Sequence, residues 1–86
     1  MTSPTRVLIV DDHQMFREGI RARLARESDL TVVGEASCAK EALAVLEHDT
    51  VDIVVLDIRM PEKSGVELAR SIRGKWPDVK ILVLSG

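Results

Sequence analysis

The stretch VDIVVLDIRMPEKSG, residues 51–65, is apolar up to Leu56, then reaches Asp57 and a Met-Pro turn. Val51, Ile53, Val54, Val55 and Leu56 form the short, β-branched run expected of a strand covered on both faces. A carboxylate at the end of such a strand has two readings. It is a solvated strand end, or it is a reactive group placed at the rim of a sheet. What else arrives at that rim decides between them.

Working outward, RVLIV (residues 6–10) is a second continuous apolar run, interrupted by Asp11-Asp12-His13. TVVGEA (31–36) is a less apolar strand and so belongs nearer a sheet edge, and KILVL (80–84) is a fourth. Helical spacing fills the gaps. Met15, Phe16, Gly19, Ile20 and Leu24 recur between Gln14 and about Arg26, with Asp12 placed to cap that helix and the Arg17–Arg26 charges on a solvated face. Ala39, Ala42, Leu43 and Leu46 form a second stripe behind Ser37 as N-cap. Val66, Leu68, Ala69, Ile72 and Trp76 form a third, stopped by Pro77-Asp78. Strand and helix alternate with no hairpin signal, which predicts an α/β domain with a parallel sheet and helices on both faces.

The bulk numbers set limits. A chain of 86 residues is one small domain, burying only a little over ~60% of its unfolded surface. Its only aromatic residues are Phe16 and Trp76, so Val, Leu, Ile and Ala must form the core. A net charge of −2 and the shortage of stacking aromatics argue against direct nucleic-acid binding. Cys38 is the single cysteine, which excludes an internal disulfide and a thiolate cluster. No apolar run approaches the ~20 residues a membrane span requires, and MTSPTR lacks a signal-peptide core, so a cytoplasmic location is expected.

In parallel α/β sheets, function gathers beyond the carboxyl ends of the strands. Here those ends carry Asp11 and Asp12, Asp57, and Ser85. If the first, third and fourth strands are neighbours, three carboxylates and a hydroxyl share one rim. Clustered carboxylates repel unless a cation joins them or some protonate. Mg²⁺ suits such a site, because it takes one or two carboxylates with waters and phosphate oxygens. Asp57 also fits the role of a carboxylate nucleophile toward a phosphoryl group, and Ser85 that of a hydrogen-bonding hydroxyl. Taken singly, Asp12 is a helix cap, Asp57 a strand end and Ser85 an ordinary serine. Their alignment favours chemistry. His13 lacks a His or Cys partner at ligand spacing and reads as a helix-start residue.

VLIVDDHQMFREGI, VDIVVLDIRMPEKSG and KILVLSG, in that order, resemble the receiver domain of two-component response regulators over the whole chain. The DDH triplet followed by R-x-G resembles the NarL/FixJ subfamily. The resemblance implies a flavodoxin-like (CheY-like) doubly wound sheet with strand order 2-1-3-4. It implies Asp57 as phosphoacceptor, Asp12 as direct Mg²⁺ ligand, and Asp11 acting through a bound water. Arg59 takes the position whose backbone carbonyl ligates the metal, and Ser85 that of the switch hydroxyl. Gly65 is then expected in the loop after Pro61, with positive φ. The implied partner is a histidine kinase that supplies the phosphoryl group, with DNA reached only through an output domain outside this sequence. Receiver domains of this kind catalyse their own phosphorylation and dephosphorylation.

Against the family pattern, residues 1–86 correspond to an incomplete receiver domain. The resemblance places a fifth strand, two further helices and a phosphoryl-pairing Lys beyond the fourth strand. Without them KILVL is an open apolar edge, which predicts a homodimer or a domain-swapped assembly. An interaction or dimerisation module without phosphotransfer is therefore the competing reading. A Mg²⁺-dependent small-molecule phosphatase is disfavoured, since so short a chain leaves no room for a substrate cap.

Overall fold

A computed structural model of the protein describes residues 3–57 and 65–84. In chain order the elements are β1 (Thr5–Val10), α1 (Gln14–Leu24), β2 (Leu30–Ala36), α2 (Ala39–His48), β3 (Ile53–Asp57), α3 (Gly65–Lys75) and β4 (Lys80–Leu84). The four strands form one sheet in the order β2-β1-β3-β4, and every pairing is parallel. The chain steps from β1 to β2 on one side and then crosses to β3 on the other. The switch point of the sheet therefore falls between β1 and β3, where open α/β sheets place their crevice.

Strand alternation divides the core in two. Leu8, Val10, Val54 and Leu56 face one way and pack with Ala42 and Leu46 of α2 and Leu68 and Ile72 of α3. Val7, Ile9 and Val55 face the other way, against Ile20 and Leu24 of α1. Both faces are covered, which is why β1 and β3 tolerate unbroken apolar sequence. The pairing of β1 with β2 shifts register between Val7 and Leu8, so that Leu8 lies opposite Gly34. A Cβ on Gly34 would stand 3.2 Å from Cγ1 of Val45 on α2. Glycine there lets the helix lie close on the edge strand.

Five local expectations need correction. The cap of α1 is His13, without a side-chain cap hydrogen bond, so Asp12 does not cap the helix. The cap position of α2 is Cys38 rather than Ser37. Glu41 in the first turn instead accepts from both the backbone N–H and the hydroxyl of Ser37, each at 2.7 Å, a capping box displaced by one residue. Met15 is 86% exposed and Phe16 also faces solvent, so the apolar stripe of α1 reduces to Ile20 and Leu24. Arg17 is no part of a solvated face, since its side chain is only 15% exposed and bonded to its surroundings. Gly65, expected in a loop with positive φ, is the first residue of α3, and no described glycine has positive φ.

Candidate metal centre

The carboxyl ends of β1 and β3 bring their acidic residues together. Asp57 is the last residue of β3 and is 3% exposed, and Asp11 follows β1 and is 1% exposed. The N–H of Asp11 donates to the carbonyl of Ala36 at 3.0 Å, which extends the β1–β2 pairing by one bond and fixes where the carboxylate emerges. Asp11 Oδ1 then accepts from the backbone N–H of His13 at 2.7 Å, turning the chain into α1. Asp12, half-buried, lies between them.

One ligand atom from each of Asp11, Asp12, His13 and Asp57 lies within 4.8 Å of the other three. Two carboxylate oxygens there, Asp11 Oδ2 and Asp12 Oδ1, are buried without a hydrogen-bond partner among the described residues. A buried carboxylate oxygen left without a donor is costly. The His13 ring approaches within ion-pair distance, with Nδ1 3.2 Å from Asp11 Oδ1 and 2.9 Å from Asp12 Oδ1. Only the contact with Asp11 has hydrogen-bond geometry, so the close approach leaves Asp12 Oδ1 unsatisfied. Hard oxygen donors, close spacing and two orphaned buried oxygens form a set that fits a divalent cation.

Arg17 supports the floor of this site. Its Nη1 donates to the backbone carbonyl of Asp11, and its Nε lies 3.3 Å from Glu35 Oε1 on β2. Arg21 Nη1 holds the other oxygen of Glu35 at 2.7 Å. The Arg17 guanidinium is thereby tied to a backbone oxygen and to Glu35. Sequence reasoning placed Asp11, Asp12 and Asp57 together, as the structure does, but missed Arg17 and gave His13 no part beyond starting the helix. Strand-end position marks the first three. Nothing in local pattern marks a contact between Arg17 and Glu35 across two elements. Arg59 and Ser85 lie outside the described residues. No helix among the described residues is long and apolar enough to cross a membrane.

Comparison with known proteins agrees with this fold. The family model of the response regulator receiver domain matches residues 7–86. The transcriptional regulatory protein DegU of Brevibacillus brevis is 42% identical over 79 residues, spanning 92% of this chain and 34% of that protein. The DNA-binding transcriptional activator DevR/DosR of Mycobacterium tuberculosis is 39% identical over 80 residues, spanning 93% of this chain and 37% of that protein. The chain thus spans about a third of the length of the curated relatives it matches. The signal receiver domain of the putative response regulator NarL from Mycobacterium tuberculosis superposes with a TM-score of 0.89 at 33% identity, covering 98% of this chain and 68% of that one. The isolated receiver domain of RcsB from Salmonella enterica serovar Typhimurium gives a TM-score of 0.90 at 28% identity, covering 96% of this chain and 62% of that one. The chain belongs to the response regulator receiver domain family, and its relatives are regulators of the NarL/FixJ type.

Proposed function

We propose that this domain accepts a phosphoryl group on Asp57 from a histidine kinase, with Mg²⁺ bound beside it, and that the modification switches partner binding in a longer transcription regulator. The observation that carries the reading is the convergence of three carboxylates, two of them with orphaned buried oxygens, at the switch point of the sheet. Asp12 would ligate the cation directly, Asp11 through water, and Arg59 through its backbone carbonyl. Bound Mg²⁺ supplies charge neutralisation for the phosphoryl oxygens and the carboxylates. The chain's own part is nucleophilic. An Asp57 carboxylate oxygen forms the new bond to phosphorus while the bond from phosphorus to the donor atom breaks, and the donor departs with that electron pair. Rigid strand termini hold Asp57 for in-line approach, and Ser85 would donate to a phosphoryl oxygen afterwards. The RcsB receiver domain was solved in the presence of a phosphomimetic, BeF3-, which supports the same use of the fold here.

Intact-mass measurement with acetyl phosphate and Mg²⁺ tests this. Acetate is the leaving group, and the protein should gain one phosphoryl group that Asp57→Asn does not acquire. A gain that persists in Asp57→Asn, or no gain in the longer parent protein, would overturn the assignment.

A second reading has its own observation. Leu82 and Val83 of β4 are 55% and 46% exposed, on a strand at the edge of the sheet among the described residues. Self-association through β4, as a homodimer or a swapped assembly, is the behaviour that surface supports for residues 1–86 as a separate polypeptide.

A further inference from the structure

We propose that His13 is a fourth ligand of the acidic site, which would make the site a binder of imidazole-seeking divalent transition metals of the Ni²⁺–Cu²⁺ end of the first-row series, in competition with Mg²⁺. The proposal rests on the reading of the acidic cluster as a cation site and adds the metal class that the cluster selects. Three observations support it.

The first is spacing. A six-coordinate metal with bonds of ~2.1 Å sets adjacent ligand atoms ~3 Å apart and opposite ones ~4.2 Å apart. His13 Nδ1 lies 2.9 Å from Asp12 Oδ1 and 3.2 Å from Asp11 Oδ1, the separation of neighbouring vertices. With Asp57 included, all four ligand atoms lie within 4.8 Å of one another.

The second is valence. A neutral imidazole has one N–H, and a single N–H on Nδ1 cannot serve two carboxylates from different residues. Asp12 Oδ1 stays buried without a hydrogen bond despite its distance of 2.9 Å from that nitrogen. Asp11 Oδ2, on a residue 1% exposed, is also unpartnered among the described residues. A metal accepting the Nδ1 lone pair, Asp12 Oδ1 and Asp11 Oδ2 would partner both orphaned oxygens, while Asp11 Oδ1 keeps the backbone N–H of His13.

The third is that the ring's one hydrogen bond among the described residues is made inside the acidic site, to Asp11 Oδ1 at 3.2 Å. His13 occupies the cap position of α1 but makes no side-chain cap bond, and its side chain is largely exposed. Its backbone performs the helix start, donating to Asp11 Oδ1 and accepting from Arg17 N–H at 3.1 Å. A metal-bound ring would give up its contact with Asp11 Oδ1, but that oxygen keeps the backbone N–H of His13, so the turn survives.

Mg²⁺ prefers oxygen ligands and gains little from an imidazole nitrogen, whereas affinity along the first-row series rises toward Ni²⁺ and Cu²⁺ where imidazole is available. Calorimetric titration of the whole chain with Ni²⁺ and, separately, Mg²⁺ is the test, on the parent, His13→Ala, His13→Asn and Asp57→Asn. His13→Ala should lose at least about tenfold in Ni²⁺ affinity, with a far smaller change for Mg²⁺. The His13 ring protons should also show paramagnetic shifts when Ni²⁺ binds the parent. Equal Ni²⁺ affinity in the parent and both His13 variants would overturn the proposal, and so would no Ni²⁺ binding at all. Matching losses for Ni²⁺ and Mg²⁺ would overturn it too, because His13 would then only organise the loop. If Asp57→Asn leaves Mg²⁺ affinity intact, the acidic-site reading fails on its own account.

Discussion

Arg17 on α1 and Glu35 on β2 pair at 3.3 Å, and the same guanidinium donates to the backbone carbonyl of Asp11. One side chain thus ties a helix, an edge strand and the loop that carries the acidic pair. Because Glu35 and a carbonyl occupy the guanidinium, Arg17 is held by partners other than the carboxylates of the acidic site.

Arg17→Ala should therefore act on both stability and binding. Removal of a half-buried charged donor costs on the order of 1–3 kcal/mol. Mg²⁺ affinity should fall as well, because the Asp11 backbone loses its anchor. Glu35→Gln should cost less stability, since its amide oxygen still accepts, but it loosens the hold on Arg17 and lets it compete for the site. Urea unfolding in chelator, paired with Mg²⁺ titration, separates the two effects. Unchanged Mg²⁺ affinity in both variants would remove Arg17 from the site's support.

Asp57→Asn should raise stability without metal and abolish most of the stabilisation by Mg²⁺. Relief of like-charge repulsion among Asp11, Asp12 and Asp57 is worth up to roughly 4 kcal/mol for a close pair at an effective dielectric of ~20. Linkage makes the Mg²⁺-dependent rise in melting temperature a direct readout of binding. Thermal melts of both proteins across a Mg²⁺ series check this, and a variant less stable than the parent in chelator contradicts the repulsion argument.

Gly34→Ala should destabilise the domain, by about 1 kcal/mol, because the new Cβ meets Val45 at 3.2 Å. Val45 is a partly buried residue packed on the core, so Val45→Ala alone should also cost stability. Combined, the two should cost less than their sum, since the shorter side chain makes room for the added methyl. Denaturant titration of the four proteins in the cycle measures the coupling. Strict additivity would mean that the close approach is not what requires glycine at Gly34.

Much of this fold was legible because covered parallel strands leave a strong trace. Runs such as RVLIV and IVVL have few other uses, and a carboxylate directly after each run marks the rim. The strand order came from family resemblance, since nothing in the runs states which of them are neighbours. Local pattern failed where a residue's partner lies on another element. Met15 and Phe16 fit helical spacing, yet both face solvent, so spacing alone does not tell which apolar positions find a packing partner. Arg17 resembles any surface arginine until β2 brings Glu35 beneath it. The box around α2 slipped by one residue because Glu41 reaches back to Ser37, and the spacing alone does not say which residue has left the helix. Asp11, Asp12 and Asp57 were found from their strand-end positions together with the strand order that the resemblance implied, whereas the part played by His13 required distances.

Glu41 titrates below the usual carboxylate range. The backbone N–H of Ser37 is the largest cause, its hydroxyl the next, and Arg17 adds a smaller pull. A depressed folded pKa means that the ionised form is favoured by folding. The contribution is therefore present above the unfolded pKa and is lost as pH falls through the folded value. Ser37→Ala should raise the Glu41 pKa only part of the way back, because the backbone bond survives. Glu41→Gln should flatten that part of the acid limb of the stability curve. Carbon-detected NMR titration of the Glu41 carboxyl reads the first effect. A full return to the ordinary value in Ser37→Ala would show the hydroxyl, not the backbone, to be dominant.

The last expectation concerns β4. Its outer side pairs with no other strand among the described residues, and Leu82 and Val83 project into solvent with Val66 of α3 also exposed. Such an edge offers unpaired backbone groups beside apolar side chains, and Lys80 is the only charged residue on the strand. Natural edge strands are shielded by charge, proline or a covering element, and Lys80 alone is weak protection. Residues 1–86 as a separate polypeptide should therefore associate as concentration rises. Light scattering over a concentration series measures this directly. Leu82→Lys should shift the polypeptide toward monomer, because a second charge on the edge opposes strand pairing. The substitution should cost little in fold stability, since Leu82 is already more than half exposed. A parent that stays monomeric at the highest concentrations, folding cooperatively, would show that β4 does not recruit a partner.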